Sequence, residues 1–340
     1  MTKIFSHFLS YYGATFLLFG LAVPLSGLIL AWLGIKHSIL ISVFFAVLYF
    51  LGLNWLTPWP ALIFFLPLVS VIYKILFWPA FHLDFAKNSQ GSERGRQVSV
   101  VKMIMLAASI IGPLFGGLII HYFSYPSLFT VVAVLLFISV LPLFFSREIY
   151  GRFYFSIVDF YRFLRQPFWR RTEIALVAWG IDELVAGLLW PLFMFLVVAE
   201  TAVIGGITSA SSIIAFLSAY GIGLLADKVG RCRILRWGAV LVPAGWVLRA
   251  IARTPVQIGL SDGYYRLVNE GYSIGFYSVL YDRANVHPAE ALKVILVREV
   301  VMNLSKVLCL VVIGLLVAAF SSLIPAFILA AATSLLTIFI

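Results

Sequence analysis

The sequence predicts an all-α polytopic membrane protein, and three observations carry that expectation. Of the 340 residues, 63% are hydrophobic and only 11% charged, whereas an ordinary soluble domain is about half apolar and about a quarter charged. The mean hydropathy is +1.06. Apolar runs long enough to cross a hydrocarbon core, which takes about 20 residues, follow one another almost from end to end. A transmembrane barrel would instead show alternating segments of about ten residues. Twenty-four basic against fourteen acidic residues would suit a nucleic-acid partner in a soluble chain, but the hydropathy excludes that class. Cys232 and Cys309 alone support neither a disulfide framework nor a structural zinc site.

Eleven spanning helices follow in order, over residues 11–33, 39–57, 59–80, 98–120, 125–146, 174–198, 203–225, 235–252, 256–281, 292–318 and 322–340. Met1 to Phe5 precedes the first apolar run, but that run is too long for a signal-peptide core and has no small-residue cleavage site. The connections alternate in charge. Lys36 separates the first two spans, and Lys87, Arg94 and Arg96 follow the third. Arg147, Arg152, Arg162, Arg165, Arg170 and Arg171 follow the fifth; Lys228, Arg231 and Arg233 follow the seventh, and Arg283 the ninth. Those fourteen cations face two on the other side, Lys3 and Arg253, and the links near Pro58, Tyr122 and Thr201 carry none. The positive-inside rule then puts the C-terminus in the cytoplasm and the N-terminus outside, in the plasma or inner membrane of a prokaryotic cell.

The longest connection, residues 147–173, divides a five-span bundle (1–146) from a six-span bundle (174–340). It interleaves Phe153, Tyr154, Phe155, Phe160, Tyr161, Phe163, Phe168 and Trp169 with six arginines. Such a segment suits the headgroup layer, rings in the boundary and cations toward anionic lipid. It reads either as an interfacial linker or as a hinge or regulatory site.

The two halves echo each other. Gly27-Leu28 followed by Gly34 matches Gly223-Leu224 followed by Gly230 at an offset of 196, and Asp84-Phe85-Ala86 matches Asp282-Arg283-Ala284 at an offset of 198. Near-equal offsets at corresponding spans point to an internal repeat of six spans, of which the first half holds five.

Gly223-Leu224-Leu225-Ala226-Asp227-Lys228-Val229-Gly230-Arg231-Cys232-Arg233 resembles the cytoplasmic loop signature of the major facilitator superfamily, G-x-x-x-D-x-x-G-R-x-R. Gly112-Pro113-Leu114-Phe115-Gly116-Gly117 resembles the G-P-x-x-G-G of that family's fifth helix. The resemblance covers the whole chain and implies a two-bundle fold of eleven helices, five and six, with the family's first helix missing. It also implies that Gly223, Asp227, Gly230, Arg231 and Arg233 form a conformational latch. The first-half copy of the signature is degraded, with Ala31 in the acidic position and only Lys36 and His37 left of the basic cluster. Without the family, the glycines still permit close helix approach. Asp227 can pair with Arg231 four residues on or sit against a neighbouring helix N-terminus. An ordinary positive-inside loop would need neither. Pro113, with Gly112, Gly116 and Gly117, reads as a kink or pivot, or as plain helix packing.

Ionisable residues inside the apolar runs gather in a few spans: Lys74 in the third; Asp182 and Glu183 in the sixth; Asp262, Arg266 and Glu270 in the ninth; Arg298, Glu299 and Lys306 in the tenth. The eighth carries charges only near its ends, Arg236 and Arg249. Facing nine charges into lipid, at about 3 kcal/mol each, would cost about 25 kcal/mol, against a typical folding stability of about 5–15 kcal/mol. They must face one another or water. On helical spacing, Asp262, Tyr265, Arg266, Asn269, Glu270, Ser273 and Tyr277 share one face, as do Glu299, Asn303 and Lys306. Arg266 lies four residues from both Asp262 and Glu270 and can be clamped between them. Asp182 and Glu183 have no cation in their own span, and a carboxylate without a partner in low dielectric suits a proton carrier. The group reads as a substrate or proton pathway, or as a static salt-bridge network. The resemblance puts it around the family's central cavity.

Enzyme chemistry finds little support. Gly271-Tyr272-Ser273-Ile274-Gly275 fits G-x-S-x-G, but inside an apolar helix rather than at a strand-to-helix turn. No phosphate-binding loop and no H-E-x-x-H occur. The five histidines fall near span ends or in loops, and no cofactor or metal site is expected. The expected function, implied by the resemblance, is a monomeric secondary transporter moving a small solute by alternating access, coupled to an ion such as H+. The glycine–proline motif points toward export. The competing reading is a non-transporting truncated relic or membrane scaffold.

Overall fold

A computed structural model describes residues 2–145, 154–198, 200–286 and 290–339. Arg147, Arg152 and Phe153 of the linker lie outside the described residues. Every regular element among those described is helical. The main helices are α1 (Thr2–Asn54), α2 (Leu62–Asn88), α3 (Arg94–Tyr122), α4 (Tyr125–Ser139) and α5 (Leu141–Phe145). After the linker helix α6 (Ile157–Leu164) come α7 (Arg170–Leu184), α8 (Trp190–Val198), α9 (Thr201–Val229), α10 (Arg231–Ile251), α11 (Pro255–Val286), α12 (Ala291–Phe320) and α13 (Ile324–Ser334).

Eight helical stretches among the described residues are long and apolar enough to cross a membrane. That is consistent with eleven spans. The first stretch, Leu9–Asn54, holds two of the expected spans, α11 is the more polar helix of the set, and Ile324–Phe339 is short. Gly34 splits α1 into two arms with φ 78° and ψ 173°, a backbone that favours glycine. Both arms fasten to one turn of α2: Ser26 Oγ donates to the Ile75 carbonyl (2.7 Å) and Ser38 Oγ to the Leu76 carbonyl (2.8 Å). Pro79 explains the first bond. It has no N–H for the carbonyl four residues back, and Ser26 supplies the missing donor.

Other boundaries follow local chemistry. Ser124 and Ser156 cap α4 and α6 by accepting from the amides of Ser127 and Asp159. Gly230, at φ 108°, ends α9 and opens α10. A π-turn, Val185–Leu189, joins α7 to α8. The third span was expected to end at residue 80, but α2 continues to Asn88 and so brings His82 into a helix core.

The chain forms two compact units. One comprises Met1–Asn88, Phe115–Trp169 and Ala284–Val307; the other comprises Ser89–Leu114, Arg170–Arg283 and Leu308–Ile340. In the first, α1 packs along α2 and α4, and the linker helix α6 lies on α1. In the second, α10 packs against α13, with α7 beside them.

Candidate functional site: two buried charge clusters and a loop latch

The second unit holds a network of four charges, three of them buried. Asp182 comes from α7, Trp190 from α8, Trp246 and Arg249 from α10, and Asp262, Tyr265 and Arg266 from α11. Residues three and four apart share a helix face, which aligns Trp246 with Arg249 and Asp262 with Tyr265 and Arg266. Asp182 and Trp190, eight apart, would sit about 80° apart on a regular helix; the extra residue of the π-turn takes back about 100° and returns them to one face.

Asp262 is fully buried and accepts from Trp190 Nε1 (2.9 Å), Arg249 Nη2 (2.5 Å) and Arg266 Nε (2.9 Å). The Arg249 guanidinium lies against three rings, 3.6 Å from the centroid of Tyr265, 4.4 Å from Trp190 and 4.9 Å from Trp246. Those π faces and the Asp262 carboxylate together replace water around a buried cation. Arg266 is partly exposed and also donates to Ser212 Oγ (3.1 Å).

Asp182 is held differently. Its carboxylate accepts from Trp246 Nε1 (2.6 Å) and Tyr265 OH (2.8 Å), both neutral donors. The expectation of a partnerless Asp182 is therefore corrected: its partners are aromatic and lie on α10 and α11. Arg266 is not clamped between two acids. The clamp is reversed, with Asp262 held between two arginines, and Glu270 Oε2 is buried without a hydrogen-bond partner among the described residues. Asn269 lies one residue before it, half-buried, and Glu183 is exposed on α7.

The first unit holds the remaining charges. Arg298 hydrogen-bonds the carboxylate of Glu299, and His82 Nε2 of α2 lies 3.8 Å from the same carboxylate, all three buried. Asn303 Nδ2 donates to the Glu299 carbonyl (2.7 Å). One turn on, Lys306 lies 5.3 Å from the Phe16 ring centroid, within electrostatic reach of the half-buried Lys74. His82 overturns the reading of the histidines as confined to span ends and loops. Its signal was hidden by the unexpected length of α2.

The loop motif forms a polar network within the second unit. Asp227 accepts from the amides of Gly95 (2.9 Å) and Arg96 (2.8 Å), two of the free N–H groups at the start of α3. It also pairs with Arg231 (3.1 Å), so both options offered by the sequence occur together. Arg231 bridges onward to Asp282 (2.7 Å), which also receives Arg94. The crossing is tight: a Cβ on Gly223 would stand 2.3 Å from Ser99 Oγ and 2.9 Å from the Gly95 carbonyl oxygen. Arg233 is exposed. By contrast, a Cβ on Gly112 would meet open space and one on Gly116 only Leu128 at 3.7 Å, so neither makes the close approach that its motif suggested. α3 runs unbroken through this stretch, and the side chains of Pro113 and Gly117 lie outside the described residues.

Among curated proteins no relative matches. Solved structures do. The human organic anion transporter MFSD10 (TETRAN) is similar with a TM-score of 0.75 at 14% identity, covering 99% of this chain and 88% of that one. The E. coli fucose:proton symporter FucP is similar with a TM-score of 0.71 at 14% identity, covering 98% and 91%. A further FucP structure, in the outward conformation, gives 0.71 at 12% identity, covering 97% and 88%. At such identities the likeness speaks for the fold alone. The sequence profile described as Major Facilitator Superfamily matches residues 9–242, more than half of the chain, including the loop motif from Gly223 to Arg233. The chain belongs to the Major Facilitator Superfamily.

Proposed function

We propose that this protein is a secondary transporter that moves a small solute by alternating access and couples it to a proton. In this reading residues 1–146 and 174–340 are the moving halves, 147–173 is their cytoplasmic linker, and the chain works as a monomer. The loop cations support a C-terminus inside the cell, in the plasma or inner membrane expected of a prokaryotic carrier.

One observation carries the choice of site: the two buried aspartates have opposite kinds of partner. Asp262 is locked by two guanidiniums and cannot take a proton without stranding a buried cation. Asp182 is held by an indole N–H and a phenol, so it can bind and release a proton with no ion pair to break. Asp182 is thus the proton carrier and Asp262 the fixed hub. Arg266, Asn269, Glu270 and Glu183 form the adjoining solute path on α11 and α7. Lys74, Glu299 and Lys306 supply the corresponding groups of the first unit. The fucose:proton symporter among the similar structures supports proton coupling as a reading.

The test is transport in proteoliposomes, with a solute first found by thermal-shift screening. Asp182→Asn should abolish uphill uptake driven by a proton gradient while leaving solute counterflow intact, since an amide can still accept from Trp246. Undiminished uphill uptake by the variant would remove Asp182 from the coupling step.

A further inference from the structure

The internal repeat is broken at one place, and the linker fills the gap. At the offset of 196, the second-half residues Gly223, Asp227, Gly230 and Arg231 correspond to Gly27, Ala31, Gly34 and Ile35. The backbone keeps the correspondence: Gly34 and Gly230 are the glycines with positive φ among the described residues. The chemistry does not. Where Asp227 and Arg231 make an ionic latch, the first half has Ala31 and a buried Ile35. Over Gly27 lies the ring of Phe155, so close that an added Cβ would stand 2.4 Å from its Cε1. Phe155, Phe160 and Phe163 are all buried; Phe155 packs on Phe160 (6.1 Å), and Lys293, near the start of α12, lies 5.6 Å from the Phe163 ring. The linker thus supplies an aromatic pin where the acid is missing.

The outer face of the same segment has a different character. Val158, Tyr161, Arg162 and the C-cap Arg165 follow helical spacing, Tyr154 stands just before the helix, and all are exposed, Val158 by 67% and the Arg162 side chain, which pairs with Asp159 (3.3 Å), by 76%. Apolar groups alternating with arginines on one face of a helix, in a chain whose other helices sit in lipid, match the boundary between headgroups and acyl chains. The inner face is already occupied by α1, so the outer face is the one left to bind a partner.

We propose that residues 154–165 form a strap whose outer face binds anionic phospholipid headgroups through Arg162 and Arg165, while its inner face pins α1 at Gly27. Lipid charge then governs how firmly the pin is seated. The proposal stands on the fold alone and needs neither the solute nor the coupling ion.

The test places a bimane fluorophore at Val158→Cys in a Cys232→Ser background and reconstitutes the protein in vesicles. One set contains phosphatidylglycerol with phosphatidylcholine, the other phosphatidylcholine only, each with brominated lipid or aqueous iodide as quencher. With phosphatidylglycerol present, brominated lipid should quench strongly and iodide weakly. Replacing both arginines (R162Q/R165Q) should reduce lipid quenching at least about twofold, while Arg236→Gln, at an exposed cation on α10, should not change it. Iodide quenching that ignores lipid charge, unchanged lipid quenching in R162Q/R165Q, or an equal loss in R236Q would each overturn the proposal.

Discussion

Gly34 and Gly230 turn the chain between two helix arms at equivalent points of the repeat, both with positive φ, yet they are secured by different chemistry. At Gly230 the fastening is polar and directional: Asp227 caps α3 and holds Arg231, and Arg231 holds Asp282. At Gly34 it rests on neutral hydroxyls and volume: Ser26 and Ser38 donate to two carbonyls of α2, and Phe155 is seated on Gly27. The second pair of repeat residues diverges in the same way. Asp282 takes two arginines, whereas Asp84, its counterpart, accepts from Asn88 on its own helix (2.9 Å). One backbone turn can therefore be held by a carboxylate–guanidinium network or by packed volume beside neutral hydrogen bonds. Substitutions should tell the two apart, because a polar fastening fails when charge is removed and an apolar one fails when size is removed.

The largest effect is expected at the apolar turn. Phe155→Ala removes a buried ring and should lower stability by about 3 kcal/mol, read as a drop in the unfolding midpoint in detergent, while Phe155→Leu should cost less than half of that. An equal loss for both would mean that the ring's volume is not what holds α1. Next comes Asp227→Ala, which leaves two amides of α3 uncapped and strips Arg231 of one of its two carboxylates. It should cost about 2 kcal/mol, whereas Ala31→Asp at the equivalent position should gain nothing, because no arginine stands at Ile35 to receive it. Stabilisation by Ala31→Asp would show that the first-half turn still works as a polar latch. The smallest effects concern the glycines. Gly223→Ala meets the Gly95 carbonyl and should cost about 1.5 kcal/mol; Gly27→Ala meets a side-chain ring, Phe155, rather than backbone, and should cost about half as much.

Much of this was legible in the sequence, and the reason is locality. The spans follow from apolar run length. The Asp227–Arg231 pair follows from a four-residue spacing, and the kink at Gly34 falls just past the expected end of the first span at residue 33. What the sequence hid depends on the register between helices. Arg249 lies thirteen residues before Asp262 on another helix, and near the end of an apolar run it looked like a boundary cation. Nothing in their spacing marks Trp246 and Trp190, whose indole N–H groups hold the two aspartates. The π-turn that brings Asp182 and Trp190 to one face leaves no mark in residue spacing, and the reach of α2 to His82 lies within the usual uncertainty of helix ends.

The central claim is that the groups beside Asp182 line a path open in turn to each side of the membrane. Its most direct test is two-sided labelling of Glu183→Cys, in a Cys232→Ser background, with a membrane-impermeant maleimide in sealed vesicles of each orientation. The account predicts reaction from both sides, with rates that shift in opposite directions when a transported solute is added. Reaction from one side only, unaffected by solute, would contradict it.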